Sequence, residues 1–307
     1  MRILITGGNG FIGSHLADRM IQTGHEVDLV DIRYTSNTDG LQCPKILGDV
    51  CDEATFKNVR TVPDVIFHAA AVSRVEWGET QPQRCLQVNV LGILNVAKWV
   101  LALNPRAHLI FTSSREVYGE PATLPVTEDH PRQPVSVYGI SKLTAEQLLN
   151  HYGEADGLKH TVIRLSNVYG SPRDLPERVI PRLIAQALKG DPLTVYGGDQ
   201  VLDFTFIDDV IDGLASLIKH IESEDQAILN NSIHLATSKG RSVKELAHLV
   251  KAIADSNSEI KISSGRGYDV RKFVGDYSRA MRLIGYTPKV SLEEGLRKYV
   301  ERITGKG

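Results

Sequence analysis

The stretch that decides the fold is RILITGGNGFIGSHLADRM, Arg2 to Met20. An apolar run suited to a buried strand leads into Gly7, Gly8, Gly10 and Gly13, and then into a segment with apolar residues on one helical side. Gly8, Gly10 and Gly13 satisfy G-x-G-x-x-G, while Gly7, Gly10 and Gly13 satisfy G-x-x-G-x-x-G. Such glycines permit a tight turn, close backbone approach to a pyrophosphate and close packing of helix on strand. The first helical turn, around Phe11 and Ile12, then faces the phosphates. A second strand-like run, EVDLVDIR, carries Asp31, 18 residues beyond Gly13, near the position of an acid that accepts from both adenosine-ribose hydroxyls. Its charge repels a 2′-phosphate, which favours NAD over NADP; Arg33 is the neighbour that could accommodate that phosphate.

The same rhythm continues outward. RILIT, EVDLVD, PDVIFHAA, HLIFTSS and HTVIRLS read as strands separated by segments long enough for helices. Parallel strands need such crossovers, so the expected fold is α/β: a Rossmann-type doubly wound parallel sheet with a smaller, interleaved α/β substrate-binding C-terminal lobe. Residues 1–168 are assigned to the NAD-binding domain, completed by parts of 199–235, and 169–307 mainly to the second lobe. After the third strand, Asp49 and Val50 in GDVCD are candidates to border the adenine. In FHAAA the small residues Ala69 and Ala71 suit the carboxyl ends of strands over which a dinucleotide lies.

Composition limits the partners. The 307 residues are 42% apolar and 23% charged with a formal net charge of −2, which leaves no field for nucleic acid or an anionic membrane. MRILITGGNG lacks the longer hydrophobic region of a signal peptide, and no run of about 18 apolar residues occurs, so a soluble cytoplasmic protein without a membrane span is expected. Cys43, Cys51 and Cys85 lack metal-ligand spacing, as does His68, so no metal is expected and the cysteines read as reduced thiols.

HLIFTSSREVYGEP places Thr112, Ser113 and Ser114 at the end of the fifth strand, and SVYGISKLTAEQLLNHY then reads as a helix with Tyr138 and Lys142 one turn apart. A phenol is a poor base at neutral pH, and a nearby ammonium favours its anion. Lys142 is therefore expected to lower the Tyr138 pKa and to hold the nicotinamide ribose, while Ser114 orients a substrate hydroxyl. Tyr268 and Lys272 repeat the Tyr-x-x-x-Lys spacing with no Ser-bearing strand immediately before them.

The glycine loop, Asp31, FHAAA, TSS, YGISK, RLSNVYG and SLEEGL together resemble the extended short-chain dehydrogenase/reductase family, along essentially the whole chain. More narrowly they resemble its nucleotide-sugar epimerases and dehydratases, the UDP-glucose 4-epimerase-like group. The resemblance implies a tightly held NAD, with Asn89 added to the cofactor contacts, that takes a hydride from the sugar at C4 and returns it. It implies a nucleotide-sugar substrate, UDP-linked, and a homodimer joined through a four-helix bundle built from LQVNVLGILNVAKWVLAL and the Tyr138 helix. Asn167 and Arg266 match residues that contact the diphosphate, and Thr194 and Tyr196 match a strand lining the base.

Two departures stand out. Leu202 occupies a place where the family often has an arginine, which leaves Arg173, Arg178 or Arg182 to supply that contact. Glu116 resembles the glutamate of 4,6-dehydratases and nucleotide-sugar decarboxylases, but its neighbour Arg115 cannot donate a proton as an aspartic acid can. Three functions follow as expectations: a UDP-sugar 4-epimerase working through a transient 4-keto sugar; a dehydratase or decarboxylase using Glu116 after C4 oxidation; and a non-catalytic dinucleotide sensor, which intact Ser114, Tyr138 and Lys142 disfavour.

Overall fold

A computed structural model describes residues 1–305; residues 306 and 307, the end of the expected second lobe, lie outside the described residues. Seven strands form the large sheet: β1 Arg2–Thr6, β2 Glu26–Asp31, β3 Lys45–Leu47, β4 Val65–His68, β5 His108–Ser114, β6 Lys159–Leu165 and β10 Asn231–Leu235. Their order is β10-β6-β5-β4-β1-β2-β3, and every neighbouring pair is parallel. The order reverses between β1 and β4, which opens a crevice at their carboxyl ends. Near-continuous apolar strands are what a parallel sheet covered on both faces requires; Ile5, Ile66, Phe67, Ile110 and Phe111 are fully buried. Removing one such ring, as in Phe67→Ala, costs about 3–5 kcal/mol.

One face is covered by α1, Phe11–Gln22, and by the helix Ile207–Glu222, joined by an Arg19–Asp212 ion pair at 2.7 Å. The other carries the helix Val137–Asp156, capped at its start by Ser136, whose hydroxyl accepts the Gly139 N–H, and ended by Gly157 in the left-handed region. Two small sheets complete the molecule. β7 Asn167–Tyr169, β9 Val201–Phe206, β11 Gly240–Ser242 and β13 Lys272–Phe273 form one; β8 Leu193–Tyr196 and β12 Ile260–Ser263 form the other. Residues 231–235 thus return to the large sheet, whereas 201–206 join a small one.

One expectation is corrected. The 22-residue helical segment Pro82–Leu103 is long and apolar enough, by length and composition, to cross a membrane. Interspersed Asn, Gln and Gly residues break any strict apolar run without making the segment polar. Part of its apolar surface is spent on the core instead: Val88, Ile93, Val96, Ala97 and Val100 pack with Leu4, Ile66 and Phe111.

Candidate active site

At the switch between β1 and β4, Gly7 has φ +70, and a Cβ there would stand 2.7 Å from the Ala69 carbonyl carbon. A Cβ on Gly13 would stand 2.4 Å from the Gly7 oxygen. Only glycine allows α1 to approach β1 this closely. Gly10 caps α1 without a side chain, leaving the first-turn amides open. The crevice above them encloses about 540 Å³ and is lined by Gly7, Gly10, Phe11, Ile12, Gly13, Asp31, Asp49, Val50, Ala69 and Ala71 among others. Glycine cradle, helix N-terminus and terminal acid suit a dinucleotide.

The Asp31 carboxylate accepts the Asn9 N–H at 3.0 Å, and burial raises its pKa against the pull of backbone N–H groups, Asn9's first. Arg33 lines the same crevice. Asp49 is ion-paired with Arg84 at 2.8 Å, and both residues face the crevice. Asn89 is not part of that wall. It sits in a π-helical turn, Gln87–Leu91, where its side chain exchanges hydrogen bonds with both backbone groups of Val72 and donates to Ser141 Oγ at 2.9 Å. Its place is therefore behind the cofactor wall, bracing the Ala71–Val72 backbone against the Tyr138 helix.

Ser114, Tyr138 and Lys142 do converge on the crevice. The lysine Nζ donates to the Thr112 carbonyl at 2.8 Å and lies 5.9 Å from the centroid of the Tyr138 ring. Burial pushes the amine down to about 8 and the phenol up to about 12; Ser114 and then Arg178 oppose the latter shift. The expectation that Lys142 is what lowers the Tyr138 pKa is thus corrected: desolvation dominates, and the opposing groups are a hydroxyl and a different cation. Tyr268 and Lys272 share no helix, Lys272 opening β13.

A second cavity of about 240 Å³ adjoins the first, and seven residues line both: Val75, Arg115, Glu116, Asn167, Val168, Asp174 and Arg178. Its further wall carries Arg74, Arg182, Arg266, Tyr196 and Leu202. The Tyr196 ring has the Arg182 and Arg266 guanidinium carbons each 5.0 Å from its centroid. Arg266 also reaches Glu76 at 3.4 Å. Arg178 pairs with Asp174 through its Nε at 3.4 Å, and the Nε of Arg182 is buried without a hydrogen-bond partner. Guanidinium groups assembled on one wall suit phosphate oxygens.

Thr194 does not line the cavity; its carbonyl accepts from Arg182 at 3.2 Å and so aims that side chain. Asn167 lies on the shared wall and donates to the Asp203 carbonyl at 3.3 Å. Sequence reasoning missed Arg74 and Glu76, an ion pair at 2.7 Å on this wall, because nothing in AAAVSRVEW distinguishes them from surface charges. It also missed Glu146, whose signal was available: it follows Lys142 by one helical turn and is 1% exposed.

The family model for the NAD dependent epimerase/dehydratase family matches residues 3–231. UDP-glucuronic acid decarboxylase 1 of Danio rerio is 32% identical over 98% of this chain and 72% of its own length. The crystal structure of Thermotoga maritima UDP-glucose 4-epimerase with UDP-glucose superposes with a TM-score of 0.92 at 31% identity, covering 99% of each chain. UDP-glucuronic acid 4-epimerase from Bacillus cereus, in complex with UDP-glucuronic acid and NAD, gives 0.90 at 27% identity, again over 99% of each. These relatives are enzymes of the isomerase and lyase classes, which overturns the reading as a non-catalytic sensor. The chain belongs to the NAD-dependent epimerase/dehydratase family, and NAD is its cofactor.

Proposed function

We propose that this enzyme is a UDP-sugar 4-epimerase. The observation that carries the reading is the meeting of the two cavities, one glycine-lined and one arginine-lined, beside Ser114 and Tyr138. The diphosphate lies against Arg178, Arg182 and Arg266, the last two flanking Tyr196, with Arg178 and Arg182 in place of the arginine absent at Leu202. Its sugar then reaches the shared wall. Ser114 hydrogen-bonds the C4 hydroxyl, and Tyr138 in its phenolate form takes up the hydroxyl proton as the 4-keto sugar forms, becoming the neutral phenol. NAD, when bound in the glycine-lined crevice, would supply the hydride acceptor and donor. Lys142, anchored on the Thr112 carbonyl, holds the nicotinamide ribose. After the keto sugar turns, Tyr138 returns the proton from the same place.

The reading includes a homodimer. Leu86, Leu91, Leu103 and Ile140 are exposed on the Pro82–Leu103 and Val137–Asp156 helices, which supports a four-helix interface between two copies. A second catalytic reading, decarboxylase or dehydratase, is favoured by one observation: Glu116 Oε2 is buried without a partner beside the reacting groups. Proton NMR in heavy water on a panel of UDP-sugars separates the two. An epimerase interconverts C4 epimers with mass and C5–H conserved; loss of carbon dioxide or water, or solvent deuterium at C5, would replace the first reading by the second.

A further inference from the structure

Five arginines and five carboxylates line the smaller cavity, so its wall is formally neutral. A diphosphate brings further negative charge, and it gains most where a carboxylate gives up the guanidinium groups it holds. The carboxylates differ in how readily they can do this. Glu116 is paired with Arg115 and Asp174 with Arg178, and both acids are buried. Pulling either from its partner would strand a charge away from water.

Glu76 is placed otherwise. Its Oε2 accepts from Arg74 at 2.7 Å and from Arg266 at 3.4 Å, and its side chain is 40% exposed. Ion pairs open to water are weak, and this carboxylate can turn outward without losing hydration. The two arginines come from opposite sides of the cavity. Arg74 precedes the helix Val75–Thr80, whereas Arg266 lies between β12 and β13 in the second lobe.

Both guanidinium groups rest on aromatic rings, Arg74 5.3 Å from the Trp77 centroid and Arg266 5.0 Å from that of Tyr196. Those rings keep them in place when the carboxylate leaves. Arg182 belongs to the same field: burial lowers its pKa, and Arg266 and Arg74 lower it further, against Tyr196 and Glu76. Three cations thus crowd about one displaceable oxygen. A diphosphate, with more charge and more acceptor oxygens, is the better partner for all three.

We propose that Glu76 is a built-in competitor for the diphosphate: it holds Arg74 and Arg266 until a nucleotide sugar displaces it to solvent, and Arg74 then joins Arg182 and Arg266 on the diphosphate. This rests on the placement of the diphosphate given above. The test measures binding of UDP to the NAD-loaded enzyme by calorimetry, and of uridine, which has the base and ribose without phosphates, by competition. Glu76→Gln, which removes the competing charge at constant shape, tightens UDP at least about fivefold and leaves uridine within about twofold. Arg74→Gln weakens UDP at least about fivefold with the same indifference of uridine, and serves alone if E76Q does not fold. An E76Q affinity for UDP equal to or below the parent's, a gain that uridine shares, or an R74Q affinity equal to the parent's overturns the assignment. Arg182→Gln separates the two levels. If R182Q weakens UDP while E76Q fails to tighten it, the displacement alone falls; if R182Q leaves UDP binding unchanged, the diphosphate placement falls and the role of Glu76 with it.

Discussion

Ser113 Oγ stands 2.5 Å from Glu146 Oε1, which ties the last turn of β5 to the helix that carries Tyr138 and Lys142. The same carboxylate takes two bonds from Arg164 on β6, from Nε at 3.0 Å and Nη2 at 2.8 Å. Ser113 lines the cofactor crevice, so this buried ion pair sets the spacing between Ser114 and Tyr138. Glu146→Ala leaves the Arg164 charge buried without its carboxylate. The expected loss is about 3 kcal/mol of folding stability, read from the urea midpoint at unchanged m-value.

Tyr138→Phe removes the group to which the proposed mechanism gives the C4 proton, while the other residues lining both cavities remain. A fall in kcat of about 10²–10⁴, with KM for the UDP-sugar within a few-fold of the parent, is expected. Steady-state kinetics on protein with its NAD content verified provides the measurement.

Lys142 responds to alkaline pH. Its folded pKa of about 8 lies below the ordinary value of 10.5. Between these values the unfolded chain holds a proton that the folded chain has released, so the Lys142 contribution to stability rises with pH across that window and is constant below it. Lys142→Met lacks this rise. Unfolding free energies of parent and variant, measured from pH 7 to 10, should therefore diverge in the parent's favour above pH 8.

Gly13→Ala would place a methyl group 2.4 Å from the Gly7 carbonyl oxygen, an atom of backbone that cannot rotate away. The loop must shift out of its cradle, at a cost of about 1–3 kcal/mol. NAD affinity by calorimetry is expected to fall at least about tenfold.

Asp31→Ser removes the carboxylate while Arg33 remains on the crevice wall. Discrimination between NAD and NADP is a difference of affinities, and the repulsive half of it is lost. The NADP-to-NAD ratio of binding constants should rise about tenfold or more, a ratio that direct titration with each dinucleotide measures.

Much of the nucleotide half was legible along the chain because its signals are local. A strand, a glycine turn and a helix occupy Arg2 to Gln22 without interruption, and Tyr138 and Lys142 are one turn apart on a single helix. The engagement of Asn89 with Val72 and Ser141 was not legible, because the π-helical turn at Gln87–Leu91 sets the direction of its side chain and local spacing carries no trace of that turn. Nor was the bond from Arg182 to the Thr194 carbonyl, since it joins a helix and a strand through a backbone atom that residue type does not reveal.

Local pattern was enough for the parallel-sheet class, the glycine-lined crevice and the convergence of Ser114, Tyr138 and Lys142 on it, since periodicity, glycine spacing and helical phase act over a few residues. Which charges meet depended on the packing of distant segments. Arg182 and Arg266 flank one tyrosine from positions 84 residues apart (266 − 182), and Arg115 and Glu116 each keep one atom free between two cavities. Electrostatic and hydrogen-bond partnership depends on distance in space and on exclusion of water, and both come into being only when the sheets and helices have packed.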